Sequence, residues 1–142
     1  MKSRVLGLDW GTRRIGVAIS DEERRFAVGL AIWPADESDY LPLLQATLRT
    51  EDVALIVVGL PLTLSGAEGP AAQAARRFAD SVATLGVPVT MVDERFTSYQ
   101  ASRALTQVGI NQKKQRGKLD MAAAVLLLQS FLDEQVSSGR RE

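Results

Sequence analysis

The 142-residue sequence contains neither cysteine nor histidine. Without cysteine there is no disulfide framework, no thiol nucleophile and no zinc–thiolate centre. Without histidine the commonest general base and metal ligand is missing, so any catalysis must run on carboxylates, lysine, arginine, hydroxyls and hard cations. Neither sign of charge is in excess, because 17 Lys and Arg balance 17 Asp and Glu. That argues against a broadly electropositive surface but leaves room for a local basic patch opposite an acidic site. Aromatic residues make up only 6% of the chain, and no stacking cluster for single-stranded nucleic acid is evident from their order. Long hydrophobic runs are missing too. The uncharged stretches Val53–Ala67 and Met121–Phe131 fall short of the roughly 20 apolar residues of a membrane span. The apolar run after Lys2 and Arg4 is broken by Asp9 before a signal-type apolar region could form. The expectation is a soluble, cytoplasmic protein with no membrane partner.

What remains is a chain rich enough in core. Hydrophobic residues are 46% of the total, which supports one compact domain, taken here as residues 1–136 with a flexible tail over 137–142. Arg4–Trp10 and Arg14–Ser20 read as strands, and the separator Gly11–Thr12–Arg13 is short enough for a hairpin. Phe26–Trp33 completes a meander that Pro34 stops. The period then changes. Asp36, Ser38 and Asp39 offer caps for a helix whose apolar stripe is Tyr40, Leu41, Leu44 and Leu48. Val53–Gly59 is a β-branched run typical of a strand covered on both faces. Leu60–Pro70, with its prolines and glycines, reads as loop. Ala71, Ala75, Phe78, Val82 and Leu85 mark the stripe of a second helix that Gly86 is placed to end. Val87–Val92 is a further strand, leading to Asp93–Glu94–Arg95. Thr97 with Gln100, or Ser98, can cap a helix carrying Ala101, Ala104 and Leu105. Val108–Lys118 is polar and basic, and a last helix runs from about Leu119 to Gln135.

A hairpin meander followed by helices alternating with buried runs calls for parallel strands at the sheet centre. The fold class is therefore α/β, a mixed five-stranded sheet with helices on both faces. Three carboxylates then occupy odd places: Asp9 near the end of the first strand, Glu94 just after the last, and Asp120 in the first turn of the last helix. Ends of parallel strands are where sites form in such sheets. Each has a plainer reading. Asp9 beside glycine can be a turn former, Glu94 a surface ion-pair residue, and Asp120 a charge favoured by the helix N-terminus, worth about 0.3–1 kcal/mol. Asp93 and Asp21 read as structural.

Four blocks carry a family resemblance: Gly7–Leu8–Asp9–Trp10–Gly11–Thr12–Arg13–Arg14–Ile15–Gly16–Val17–Ala18, Val57–Val58–Gly59–Leu60–Pro61 with Gly66, Asp93–Glu94–Arg95–Phe96–Thr97–Ser98, and Lys118–Leu119–Asp120–Met121–Ala122–Ala123. In this order and spacing the chain resembles the RuvX/YqgF family from about Val5 to Phe131. Those bacterial proteins have a ribonuclease H-like fold and are described as pre-16S ribosomal RNA nucleases, and earlier as Holliday junction resolvases. The resemblance implies that Asp9, Glu94 and Asp120 are the catalytic acidic residues and metal ligands, with Arg95 and Lys118 as accompanying basic residues. Trp10 departs from the smaller residue more common at that place, and Ser98 stands where a second threonine is common.

The chemistry that fits is phosphodiester hydrolysis with two Mg²⁺ or Mn²⁺ ions held by the three carboxylates. Lys118 or Arg95 would offset charge building on the phosphate. Gly11, Thr12 and Arg13 could meet a phosphate at the turn, a role a simple hairpin turn explains equally well. Lys113, Lys114, Arg116 and Lys118 put four positive charges into six residues. Such a run is often a solvated face, but just before Asp120 it suits a backbone clamp. The expected partner is nucleic acid, precursor rRNA ahead of branched or single-stranded DNA, with monomer and homodimer both open. Two rivals stand beside the nuclease. One is a phosphotransferase of the actin, Hsp70 and sugar-kinase superfamily, against which a chain of one domain argues. The other is a non-catalytic nucleic-acid-binding module, which gains nothing from clustering carboxylates beside phosphates.

Overall fold

The computed structural model describes residues 3–94 and 112–137; for residues 112–120 and 136–137 only the backbone is described. The strands are β1 (Arg4–Trp10), β2 (Arg14–Ser20), β3 (Ala27–Pro34), β4 (Val53–Leu60) and β5 (Val89–Asp93). The described helices are α1 (Glu37–Thr50), α2 (Pro70–Ala83) and α3 (Gln112–Ser137). One five-stranded sheet takes the order β3-β2-β1-β4-β5. The meander strands pair antiparallel, and β4 joins β1 and β5 in parallel. The β1 strand is thus the centre of the sheet and the boundary between its two halves.

Alternation along β1 and β4 sorts the core into two layers. Leu6, Leu8, Ile56 and Val58 face α1 and α2, packing with Tyr40, Leu44, Phe78 and Val82. Val5 and Val57 face α3, packing with Ala124, Leu127, Leu128 and Phe131. The α3 layer is tight because glycine lies under the helix. A Cβ added to Gly7 would sit 2.9 Å from Leu128 Cβ, and one added to Gly29 would sit 2.9 Å from Met121 Cγ.

Side-chain and backbone bonds pin the ends of these elements. Asp36 caps α1, its Oδ1 accepting from the Ser38 amide at 3.0 Å and the Ser38 hydroxyl at 2.8 Å. Asp21 serves the β2–β3 turn, accepting from the amides of Arg25 and Phe26 at 2.8 and 3.0 Å. Its partial burial works against ionisation, but these backbone donors outweigh it and hold the carboxyl below the ordinary aspartate range. Where β1 shifts register against β4 between Arg4 and Val5, the buried Ser20 hydroxyl accepts from the Val5 amide at 2.9 Å.

Three expectations need correction. On α2 the buried positions are Ala72, Ala75, Phe78, Ala79 and Val82, and Ala71 is exposed. Pro34 pairs with Arg14 as the last residue of β3, at the sheet edge where a missing N–H costs nothing. The third concerns α3, which begins at Gln112, so the basic run lies within the helix and Asp120 is its ninth residue. Gln, Lys and Arg are good helix formers whatever their polarity, so a search for apolar periodicity passes over them. The expected helix after Thr97 lies outside the described residues, as do residues 138–142 of the tail.

Candidate active site

At the C-terminal ends of the parallel strands, the α3 face of the sheet carries two carboxylates side by side. Leu8 pairs with Val58, so continuing that register by one residue sets Asp9 beside Gly59, about 4.8 Å away across the ladder. Leu8 belongs to the opposite layer, and alternation puts Asp9 on the α3 side. Glu94 follows β5 directly, its amide donating to the Leu60 carbonyl at 3.2 Å. From there its carboxylate folds back over β4. A Cβ added to Gly59 would lie 2.8 Å from Glu94 Cδ and 3.3 Å from Leu127 Cδ2. Glu94 is only 9% exposed, a costly place for a carboxylate without a cation or donors. It is not the solvated surface residue that its neighbours Asp93 and Arg95 could suggest.

Gly59 is the residue of this arrangement that was not among the site residues expected from the sequence. It stands inside one of the four motif blocks, yet nothing in the sequence tells that its missing side chain is the space Glu94 occupies. The signal that could have found it is a glycine in the otherwise β-branched run of a central strand, which marks a close approach.

Backbone geometry brings α3 to the same place. The Ala27 amide donates to Gln129 Oε1 at 2.9 Å, and Met121 covers Gly29. The helix therefore runs antiparallel to β3, and hence to β1. The Ala124 carbonyl lies over Gly7, 3.5 Å from an added Cβ. One helical turn back from Ala124, about 6 Å, matches two strand residues forward from Gly7 to Asp9, about 6.6 Å. That turn begins at Asp120. With two turns of helix ahead of it, Asp120 is beyond reach of the N-terminal dipole, which falls off within the first turn. The plainer reading of Asp120 thus loses its basis.

The other residues singled out in the sequence divide into three groups. Gly11, Thr12 and Arg13 form the β1–β2 turn, closed by the Gly11 amide donating to the Arg14 carbonyl at 2.9 Å, with Thr12 and Arg13 exposed. Lys113, Lys114, Arg116 and Lys118 lie on the first two turns of α3, their side chains outside those described. Arg95, Thr97 and Ser98 lie outside the described residues altogether. Among the residues whose side chains are described, Asp120 not being one of them, no group of three metal-ligating side chains occurs.

Whether the residues present suit hard divalent cations is a matter of donor type and space. Asp9 and Glu94 supply oxygen donors of the kind Mg²⁺ and Mn²⁺ take. They share one face, and the missing side chain of Gly59 between them is what lets the Glu94 carboxylate lie there. The donor set fits.

A mixed sheet of this order, with helices on both faces, defines the class: a ribonuclease H-like fold of the resolvase type. Among solved structures the chain is similar to T. thermophilus RuvC in complex with a Holliday junction substrate, with a TM-score of 0.56 and 15% identity over 99% of this chain and 98% of that one. It is also similar to the yeast mitochondrial Holliday junction resolvase Ydc2, with a TM-score of 0.53 and 11% identity over 98% and 82%. Residues 3–134 match the family described as RuvX, Holliday junction resolvase, and the chain belongs to that family. Among curated relatives, a "Putative pre-16S rRNA nuclease" of Chloroflexus aggregans is 46% identical over 91% of this chain and 92% of its own length. One of the same name from Anaeromyxobacter sp. (strain K) is 42% identical over 92% and 96%.

Proposed function

We propose that this protein is a divalent-metal-dependent nuclease that hydrolyses phosphodiester bonds in 5′-end processing of precursor 16S rRNA. The observation that carries the reading is the Glu94 carboxylate laid over Gly59 beside Asp9, at the C-terminal edge of the parallel strands. Asp9, on the central strand, Glu94 and Asp120 would together hold Mg²⁺ or Mn²⁺ ions. Ions bound there supply Lewis-acid charge and lower the pKa of a water, which is how a chain without histidine can make a nucleophile near neutral pH.

The protein's own groups do the rest. Gly59 keeps the carboxylates at one depth, so their charge needs no rearrangement when substrate arrives. The Gly11–Thr12–Arg13 turn orients the phosphate next to Asp9. Lys118 and Arg95 offset the negative charge that grows on the phosphate as the bond breaks. Lys113, Lys114 and Arg116 grip the backbone without reading sequence. One domain carries all of these roles, and a substrate of precursor rRNA would place the work in the cytoplasm. Among the described residues no helix is long and apolar enough to cross a membrane.

A second reading, resolution of branched DNA, is favoured by the family description and by RuvC-type neighbours that span almost the whole chain. One purified preparation decides between them. It is offered labelled precursor 16S rRNA 5′ ends, single-stranded DNA and four-way junctions, in Mg²⁺, in Mn²⁺ and in EDTA. Metal-dependent trimming of the RNA, abolished in Asp9→Asn, supports the first reading. Junction cleavage alone supports the second. Binding unchanged in EDTA with no cleavage of any substrate would leave only a binding module.

A further inference from the structure

The end of β1 has a second side. Asp9 faces α3, and the next residue, Trp10, faces the opposite layer. There it borders a cavity of about 280 Å³ that Tyr40, Phe78, Arg77, Glu37 and Ala35 also line. Residues far apart in the sequence build it. Phe78 is core, 4% exposed, and lies edge-on to Tyr40 with ring centroids 5.1 Å apart, while Trp10 leans over it at 6.3 Å and an interplanar angle of 33°. Trp10 itself is only half-buried, so part of a large aromatic face is left to the cavity.

The polar groups at the mouth are unequal. The Tyr40 hydroxyl donates to Ser81 Oγ at 3.0 Å, and the Ser81 hydroxyl donates to Glu37, so those groups are already served. Arg77 is exposed and makes no hydrogen bond or ion pair with any described residue. Its neighbour Arg76, by contrast, is held by both oxygens of Glu68. An aromatic wall, an uncommitted guanidinium and a carboxylate describe a place for a flat, dipolar group. A bare phosphate would meet Glu37 as well as Arg77. The volume falls just under the range of about 300–1,000 Å³ typical of sites for drug-sized molecules, which suits one ring system.

The β1–β2 turn connects this cavity to the carboxylates. The Ala35 amide, at the cavity wall, donates to the Arg13 carbonyl at 3.1 Å. A strand lying against Asp9 and crossing the turn Gly11–Thr12–Arg13 therefore arrives at Trp10. We propose that the Trp10–Phe78 cavity takes one unpaired base of the substrate strand, which stacks on Trp10 while Arg77 meets the adjoining phosphodiester. Stacking on an aromatic face tolerates any base, so the cavity favours single-stranded nucleic acid over fully paired duplex without selecting sequence. This rests on the nuclease reading for its substrate, but its test does not need cleavage.

The test is equilibrium binding of a short labelled single-stranded RNA in EDTA, where no hydrolysis occurs, by full-length wild type, Trp10→Ala, Trp10→Phe and Arg77→Ala. Trp10→Ala should weaken binding about tenfold, within the range of lost base stacking, and Trp10→Phe should recover most of the loss. Arg77→Ala should weaken it a few-fold and lower the salt slope by about one. It touches no core packing, so it keeps the proposal testable if Trp10→Ala folds poorly. A series of RNAs, each with one abasic position, should contain one that costs the wild type about as much as Trp10→Ala does and costs Trp10→Ala nothing further. Equal binding of intact and abasic RNAs at every position, or wild-type affinity and salt slope in Arg77→Ala, would overturn the proposal. If the wild type cleaves no nucleic acid in Mg²⁺ or Mn²⁺, the nuclease reading falls instead, and the abasic series still decides the cavity.

Discussion

The two faces of the sheet both bury apolar side chains, but they are built differently. Toward α1 and α2, β1 and β4 present Leu6, Leu8, Ile56 and Val58, all inaccessible to solvent, and the layer is held by volume. Toward α3, the same strands interleave the buried Val5 and Val57 with Gly7, Asp9 and Gly59, so close approach at the glycines is added to apolar packing. Large side chains stabilise wherever they fill space, and a core of that kind tolerates exchange at roughly constant volume. Glycines that admit a helix at one position and a carboxylate at another are less forgiving, because an added side chain must displace what lies over them. Both faces contribute apolar packing, and the Asp9 and Glu94 carboxylates lie on only one of them.

The comparison breaks most sharply at Asp9. Asp9→Asn keeps the shape and removes a charge, so cleavage in Mg²⁺ or Mn²⁺ should nearly vanish while circular dichroism and cooperative melting are retained. Next comes Gly59→Ala. The added methyl occupies the place of the Glu94 carboxylate, and displacing a catalytic group by about 1 Å costs on the order of 100-fold. Turnover should fall by about that factor, with far less effect on melting, as parallel cleavage and thermal assays on one sample will show. The mirror experiment is Leu8→Ala on the other face, where a residue fully closed to solvent leaves a cavity. Denaturant unfolding should register a loss of about 2–5 kcal/mol, while the protein that remains folded keeps its specific activity.

The smallest effect belongs to Asp36, remote from the α3 face. The Ser38 hydroxyl, and then the Ser38 amide, hold its carboxyl below the ordinary aspartate range. A depressed folded-state value means that the stability it contributes is present above the unfolded value and is lost as pH falls through the folded one. The melting temperature of the wild type should therefore drop across the acid range more steeply than that of Asp36→Ala, which should melt slightly lower at neutral pH. Equal slopes would leave the cap without an electrostatic part.

The face held by volume was the more legible of the two. Alternating and continuous apolar runs report burial directly, and β1 and β2 have the bounds that their patterns imply. The helix over Glu37–Thr50 likewise buries Tyr40 and Leu44 from its expected stripe. The face held by close approach was legible only in part. Asp9 and Glu94 were conspicuous as carboxylates at the ends of buried runs, but the contact between Glu94 and Gly59 depends on strand order and register, which no local pattern encodes. The start of α3 was hidden because polar helix formers carry no hydrophobic period. The aromatic cavity was hidden for another reason: Trp10, Tyr40 and Phe78 lie on a strand and two helices that only the tertiary fold brings together. Each aromatic alone reads as ordinary core.

The central claim is that Asp9, Glu94 and Asp120 form one metal site rather than three separate structural carboxylates. The most direct measurement is a set of melting curves with and without Mn²⁺ for the wild type, Asp9→Asn, Glu94→Gln and Asp120→Asn. Ions that bind only the folded state raise its melting temperature by ordinary linkage. Like charges held together repel until a cation joins them, so the metal-free Asp9→Asn protein should melt at or above the metal-free wild type. Adding Mn²⁺ should then raise the wild type clearly and each variant much less. An identical Mn²⁺ shift in the wild type and all three variants would contradict the claim and return Asp9 to the hairpin turn it borders.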